Sequence, residues 1–284
     1  MAHTTQFLVI DPQNDFCDLP AAWQPAHPVT GIRSAPSLPV AGAHADMQRT
    51  AAFVRACGAL LDGITITLDS HQQFDIAHPG YWQQTDGQAV AAFTPITAAQ
   101  VRAGAFSPRD GALLPRTLQY LDALEQQGRY IHMVWPVHCE IGSWGHGVHA
   151  EVLAACGEWQ LQRQRAVRNV FKGTNPFTEH YSAIQAEVPD TDDPDTALNT
   201  RLLAALGTAD RVFIAGEASS HCVRATTEHI VQQLPRLQPG WTPARITLLT
   251  DCMSPVGGFE AEHTGFLDAM RAQGVQLAHS TDHF

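Results

Sequence analysis

Six short apolar runs punctuate the chain, at 7–10, 64–68, 130–135, 167–171, 211–215 and 246–249. They lack the strict apolar–polar alternation of a half-exposed strand, so each reads as a strand buried on both faces, as in a parallel sheet. Between them, apolar residues recur at helical spacing. Met47, Ala51, Val54 and Leu61 fall on one face of a helix that Asp46 is placed to cap, and Pro115 opens another that runs through Leu118, Leu121 and Leu124 to Gly128. Further helices are predicted over 148–162, 197–206, 219–234 and 260–274. Strand and helix thus alternate some six times, which predicts an α/β fold: a three-layer, doubly wound sheet of about six parallel strands with right-handed crossovers. No composition break divides the chain, so a single domain is expected over 1–284. Three stretches, 19–45, 72–111 and 187–195, are too long and irregular for plain connections and read as insertions serving as lids or oligomer contacts.

Composition narrows the partners. With 284 residues, 44% of them apolar, the chain can bury a substantial core. A formal charge of −11 leaves no basic stripe for phosphates, so neither nucleic acid nor an anionic membrane is expected as a partner. No run approaches the length of a membrane span and the first residues lack a secretory pattern, so a cytoplasmic location is expected. Six cysteines without CxxC spacing argue against a disulfide framework.

Ligands of open α/β sheets bind beyond the carboxyl ends of the strands, and those ends carry reactive side chains here. Asp11 follows the first run, Asp69 and His71 the second, Trp135 and His138 the third, Lys172 the fourth and Cys222 the fifth. Cys222 lies in Gly216-Glu217-Ala218-Ser219-Ser220-His221-Cys222, between a strand and a predicted helix. A thiol at a helix N-terminus meets unpaired N–H groups that favour thiolate and hold an oxyanion. Asp11 is placed to take the thiol proton and later pass it to a leaving amine, with Lys172 supplying positive charge beside both. His221 is a rival base, ranked lower because its side chain leaves the backbone in a different direction from that of Cys222.

Asp69 and His71 share one side of an extended segment, and His138 completes a set suited to zinc, iron or manganese. Asp75 and His78 are candidates for a fourth ligand or a supporting hydrogen bond. His146 and His149 are assigned to a loop or helix start, outside the metal set. Phe16 and Trp135 are candidates to flank a planar ring, against a default of core packing.

Taken together, VIDPQNDFCD, TLDSH, WPVHCEIGSWG, VFKGTNP and GEASSHCVRAT resemble, in order, five motifs of the isochorismatase-like cysteine hydrolases, and within them of the nicotinamidases. The resemblance implies an isochorismatase-like fold and a Cys222–Asp11–Lys172 triad. It implies an oxyanion hole from the N–H groups of Ala218 and Cys222, a cis peptide at Ala218–Ser219, and Phe16 and Trp135 flanking a pyridine ring. It also implies one divalent metal on Asp69, His71 and His138, zinc ahead of iron or manganese, with no organic cofactor. The expected substrate is a small carboxamide, nicotinamide first, hydrolysed to nicotinate and ammonia through a Cys222 thioester; fold analogy adds a homo-oligomer. The sequence departs from many nicotinamidases by carrying Asp75 and Ala77 where a further histidine stands, with His78 one place later. Three other readings stay open: a cysteine hydrolase of another amide, ureido or carbamoyl compound; a non-catalytic ligand-binding protein; and a metallohydrolase to which Cys222 is incidental.

Overall fold

The computed structural model describes residues 4–26 and 28–282. In chain order the strands are β1 (Thr5–Ile10), β2 (Gly63–Asp69), β3 (Trp82–Gln84), β4 (Thr94–Ile96), β5 (Phe106–Pro108), β6 (His132–Val134), β7 (Arg168–Lys172), β8 (Arg211–Gly216), β9 (Ile246–Leu249) and β10 (Gln276–Ala278). The helices are α1 (Ala43–Cys57), α2 (Ala98–Arg102), α3 (Leu114–Gln127), α4 (Ala150–Arg163), α5 (Thr200–Gly207), α6 (Cys222–Leu237) and α7 (Glu260–Ala272). Six strands form one parallel sheet in the order β10-β9-β8-β1-β2-β7. One group of helices pairs α1 with α4, another packs α6 on α5 and α7, and both α1 and α6 lie against β8. No helix among the described residues is long and apolar enough to cross a membrane.

β1 is the centre of this arrangement. Its Phe7, Leu8, Val9 and Ile10 are fully buried, and each such side chain contributes roughly 1.5–3 kcal/mol of apolar transfer. The chain winds outward from β1 through β2 to β7, and in the other direction from β8 through β9 to β10. The crevice at the carboxyl ends of β1 and β8 is therefore the topological switch point, where ligands of such sheets sit.

Three strands differ from the sequence expectation: β7, expected to be buried on both faces, is an edge strand with Arg168, Asn169 and Phe171 exposed. The run at 130–135 contributes only His132–Val134, which pairs antiparallel with β4 and lies outside the parallel sheet. Its place as sixth strand is taken by β10, whose three partly exposed residues are too few and too polar to register as an apolar run. The 72–111 stretch is likewise more than an irregular insertion. It holds β3, β4, α2 and β5, and its Ile76, Tyr81, Trp82, Ile96 and Val101 pack with Tyr120, Leu121 and Leu124 of α3 in a second apolar core.

Helix starts shift by a few residues. α1 begins at Ala43, after Gly42 in left-handed backbone (φ 95°), so Asp46 sits inside the first turn instead of capping it. α3 keeps its Pro start and its left-handed Gly128 stop. α6 starts at Cys222 itself, later than the predicted residue 219, because Ala218–His221 form the turn that leaves β8.

Candidate active site

Four adjacent strand ends converge. Asp11 follows β1 and Asp69 closes β2; Lys172 closes β7 in register with Asp69; Gly216 closes β8 beside Ile10. Asp11 adopts left-handed backbone (φ 43°), where its N–H donates to Thr67 Oγ1 at 3.0 Å and Thr67 Oγ1 donates to its Oδ1 at 2.6 Å. Lys172, 2% exposed, places Nζ 2.9 Å from Asp11 Oδ2, 3.0 Å from Asp69 Oδ1 and 3.0 Å from the His180 carbonyl. The ammonium donates to Asp69, to the His180 carbonyl and to Cys222 Sγ at 3.6 Å, with Asp11 beside it as an ion pair. The structure brings the three expected catalytic residues into one buried cluster.

The turn before α6 leaves donors unspent. The Ala218 carbonyl accepts from the N–H groups of His221 (3.0 Å) and Val223 (3.2 Å), while no acceptor among the described residues takes the N–H of Ala218 or of Cys222. Both are available to an oxyanion. The cis peptide of this turn is Glu217–Ala218, one bond earlier than the resemblance implied.

Burial dominates the electrostatics. It pushes the Cys222 thiol well above its ordinary range, with Lys172 opposing, and it raises the Asp11 carboxyl in the same way, Lys172 again opposing. Burial would lower Lys172, but Asp11 and Asp69 outweigh it and keep the ammonium charged. Burial thus opposes the helix-end argument for a resting thiolate and holds the sulfur toward the thiol, beside a carboxyl whose proton affinity burial raises as well.

Asp69, His71 and His138 also converge. Asp69 Oδ2 is 3.2 Å from His71 Nε2 and 3.3 Å from His138 Nε2. His78, which the sequence left between two roles, joins them: the three histidines bring nitrogens within 4.8 Å of one another, all buried. Each histidine has Nδ1 against an oxygen: His71 against Asp75 Oδ2 (2.9 Å), His78 against the Gln72 carbonyl (3.1 Å) and His138 against the Pro136 carbonyl (2.8 Å). Such contacts suit Nδ1 as the donor and turn Nε2 toward the cluster, where His71 Nε2 meets Asp69 and His78 Nε2 accepts from the His138 N–H at 3.4 Å. Burial, with His71 and His138 adding to it, holds His78 neutral, pushed down to about 3. Asp69 and Asp75 overcome burial and raise His71 well above its ordinary range, so a cation bound here would take the place of a proton; one carboxylate and three imidazoles are a donor set that fits a divalent transition metal. Asp75 is thus a support for His71.

Phe16 lies edge-on to His138 (5.5 Å between centroids), and Trp135 lies edge-on to His221 (5.2 Å), so one aromatic borders the histidine cluster and the other the nucleophile turn. Trp135 is steadied by Nε1–H donating to the Tyr181 hydroxyl at 3.0 Å. His221 stacks among Tyr130, Tyr181 and Phe259 and is pushed by burial down to about 3, which removes it as a base near neutrality. His146 bonds Ser70 Oγ and His149 bonds His44, both outside the histidine cluster. Sequence reasoning missed Thr67, which shares a strand face with Asp69, and Gln13, whose amide donates to the Asp69 carbonyl and accepts from the Asp69 N–H. Period-two spacing within TLD was the available sign for Thr67; nothing in VIDPQNDF marked Gln13.

No protein-family model matches the chain, and no curated protein matches it. Solved structures do. An Acinetobacter baumanii nicotinamidase/pyrazinamidase superimposes with a TM-score of 0.62 at 19% identity, covering 99% of this chain and 98% of that one. Yeast nicotinamidase bound to the inhibitor nicotinaldehyde gives 0.62 at 19% identity over 97% and 100%. Pyrococcus horikoshii pyrazinamidase in complex with zinc gives 0.51 at 18% identity over 97% and 98%. The chain therefore has, over nearly its whole length, the isochorismatase-like fold of the nicotinamidases.

Proposed function

We propose that the protein is a metal-containing cysteine amidohydrolase that converts nicotinamide to nicotinate and ammonia. The observation that carries this reading is Lys172 Nζ held between Asp11 and Asp69 with Cys222 Sγ 3.6 Å away, which couples a nucleophile and its base to the ligand cluster. The Cys222 proton passes to Asp11 as sulfur attacks the amide carbon. The carbonyl oxygen takes the negative charge between the N–H groups of Ala218 and Cys222. Asp11 then returns the proton to the leaving nitrogen, ammonia departs, and a thioester remains. Asp11 next takes a proton from the attacking water, the thioester breaks, and sulfur regains its proton. Lys172 stays charged throughout and keeps the two carboxylates tolerable in a buried site. Asp69, His71, His78 and His138 would hold a divalent cation, which when bound supplies a Lewis acid able to orient a pyridine nitrogen. Phe16 and Trp135 would bracket the ring.

The test is ammonia release from a panel of nicotinamide, pyrazinamide, benzamide and a carbamoyl compound, with wild type and Cys222→Ala. Turnover of the two ring-nitrogen amides, lost by at least ~10³-fold in Cys222→Ala, is expected. Ammonia from the carbamoyl compound alone would replace the substrate assignment, and near-wild-type turnover by Cys222→Ala would end the thioester route.

A further inference from the structure

Directly before the Ala218 donor stands Glu217, a fully buried carboxyl with no place in the steps above. Its Oε2 accepts from the Ser254 N–H at 3.2 Å, and among the described residues no donor reaches its Oε1. The group that faces it is a second acid. Asp46, 2% exposed, accepts on Oδ2 from Ser254 Oγ at 2.6 Å and on Oδ1 from Arg49. Burial pushes the Glu217 carboxyl well above the carboxylate range, and Asp46 raises it further through both charge and a shared hydrogen bond. Ser254 closes the circuit, since its carbonyl accepts from the Ser219 N–H at 2.9 Å. The residues on both sides of Ala218 are thereby tied to the same serine, and through it to the first turn of α1.

From this we infer that Glu217, anchored through its carboxyl to Ser254, is a positioning residue that aims the Ala218 N–H at the developing oxyanion. The inference rests on the amidase reading above. It requires a side chain that accepts from the Ser254 N–H, a role that Gln reproduces and Leu, of similar size, does not.

The experiment uses the full-length protein, with wild type, Glu217→Gln and Glu217→Leu compared in three readouts. These are kcat and KM for nicotinamide, inhibition by nicotinaldehyde, whose thiol adduct carries an oxyanion, and the rate of Cys222 alkylation by chloroacetamide, a displacement that uses no oxyanion hole. Glu217→Leu is expected to lose about 10²-fold in kcat, the size of a lost oxyanion donor, with KM nearly unchanged. Its nicotinaldehyde affinity should fall in parallel while its alkylation rate stays at the wild-type value; Glu217→Gln should restore kcat and affinity to within about threefold. Wild-type kcat in Glu217→Leu, or equal losses in Leu and Gln, would overturn the assignment. So would a fall in alkylation matching the fall in kcat, which would indicate general disruption of the turn. Should Glu217→Leu not fold, Ser254→Ala removes the hydroxyl that ties Ser254, the anchor of both Glu217 and Ser219, to Asp46 of α1, and is expected to lower kcat and nicotinaldehyde affinity together by about tenfold; no change in either would equally overturn it. A wild type that alkylates at Cys222 but releases no ammonia from any amide in the panel sinks the amidase reading itself, a different result from any of these.

Discussion

Lys172 is the residue on which the charge balance of the candidate site turns. One buried ammonium stands against two buried carboxylates, Asp11 and Asp69, and removing one partner of such a group costs more than the pair ever contributed, because the charge left behind is still desolvated. Lys172→Met is therefore expected to destabilise the fold by about 3–5 kcal/mol, measured by urea unfolding. Asp11→Asn added to it should recover part of that loss; a single-variant loss under about 1 kcal/mol would show that the carboxylates find compensation elsewhere. The same comparison marks what was legible at this scale. Asp11 and Lys172 announce themselves because they stand directly after apolar runs, and Cys222 because a short turn carries it from one to a predicted helix start. Glu217 is written just as plainly in GEASSHC, yet its meaning depends on Asp46 and Ser254, which are brought to it only by folding. His78 was ambiguous for a related reason: its ligand-like geometry comes from the Gln72 carbonyl on Nδ1, a backbone contact that leaves no mark on residue identity.

Among the elements, β8 and β1 approach each other most narrowly where the site begins. Gly216, the last residue of β8, has φ 124°, and a Cβ there would lie 1.9 Å from the Ile10 carbonyl oxygen. Left-handed backbone and a backbone collision both require glycine at this place. Gly216→Ala is expected to cost at least about 4 kcal/mol and to separate Asp11 from the nucleophile turn. Thermal unfolding with a shift of only a degree or two would mean that the strand ends have slack. Strand ends of this kind explain why the elements were largely readable. Apolar runs such as 64–68 and 212–215 are buried on both faces and admit few alternatives. The run at 130–135 misled because burial alone does not say in which core a strand is buried: Val134 packs with Trp82 and Ile96, not in the main sheet. β10 escaped notice for the opposite reason, since an edge strand of three residues needs only a backbone ladder to β9.

Over the whole molecule, two features couple stability to conditions. The convergent Asp69, His71, His78 and His138 predict that the protein gains stability from a divalent metal, by about 4 kcal/mol at a free concentration a thousandfold above the dissociation constant. Dialysis against a chelator should lower the melting temperature and zinc should restore it, while His78→Ala should reduce the difference; an unchanged melting temperature would argue against a built site. The second feature is Glu187, where the 187–195 stretch is fastened to the rest of the fold. Its carboxyl is buried with Oε1 unpartnered and the Arg129 guanidinium 3.4 Å from Oε2, and Arg129 divides its charge with Glu228 of α6. Burial outweighs that guanidinium and pushes Glu187 from the ordinary 4.5 up to about 7. Below the ordinary value the group is protonated in both folded and unfolded chains and contributes nothing. Between the two values the unfolded chain ionises while the folded one keeps its proton, so the folded state binds more protons and stability falls as pH rises. Above about 7 both are ionised and the full cost, on the order of 3 kcal/mol, is present. Glu179, also pushed by burial up to about 7, adds a parallel slope common to wild type and variant. Glu187→Gln should therefore lose less stability than wild type between pH 5 and pH 8, as read from urea unfolding at unit steps; equal losses would mean that the folded carboxyl is already ionised at pH 5 and that Arg129 carries it.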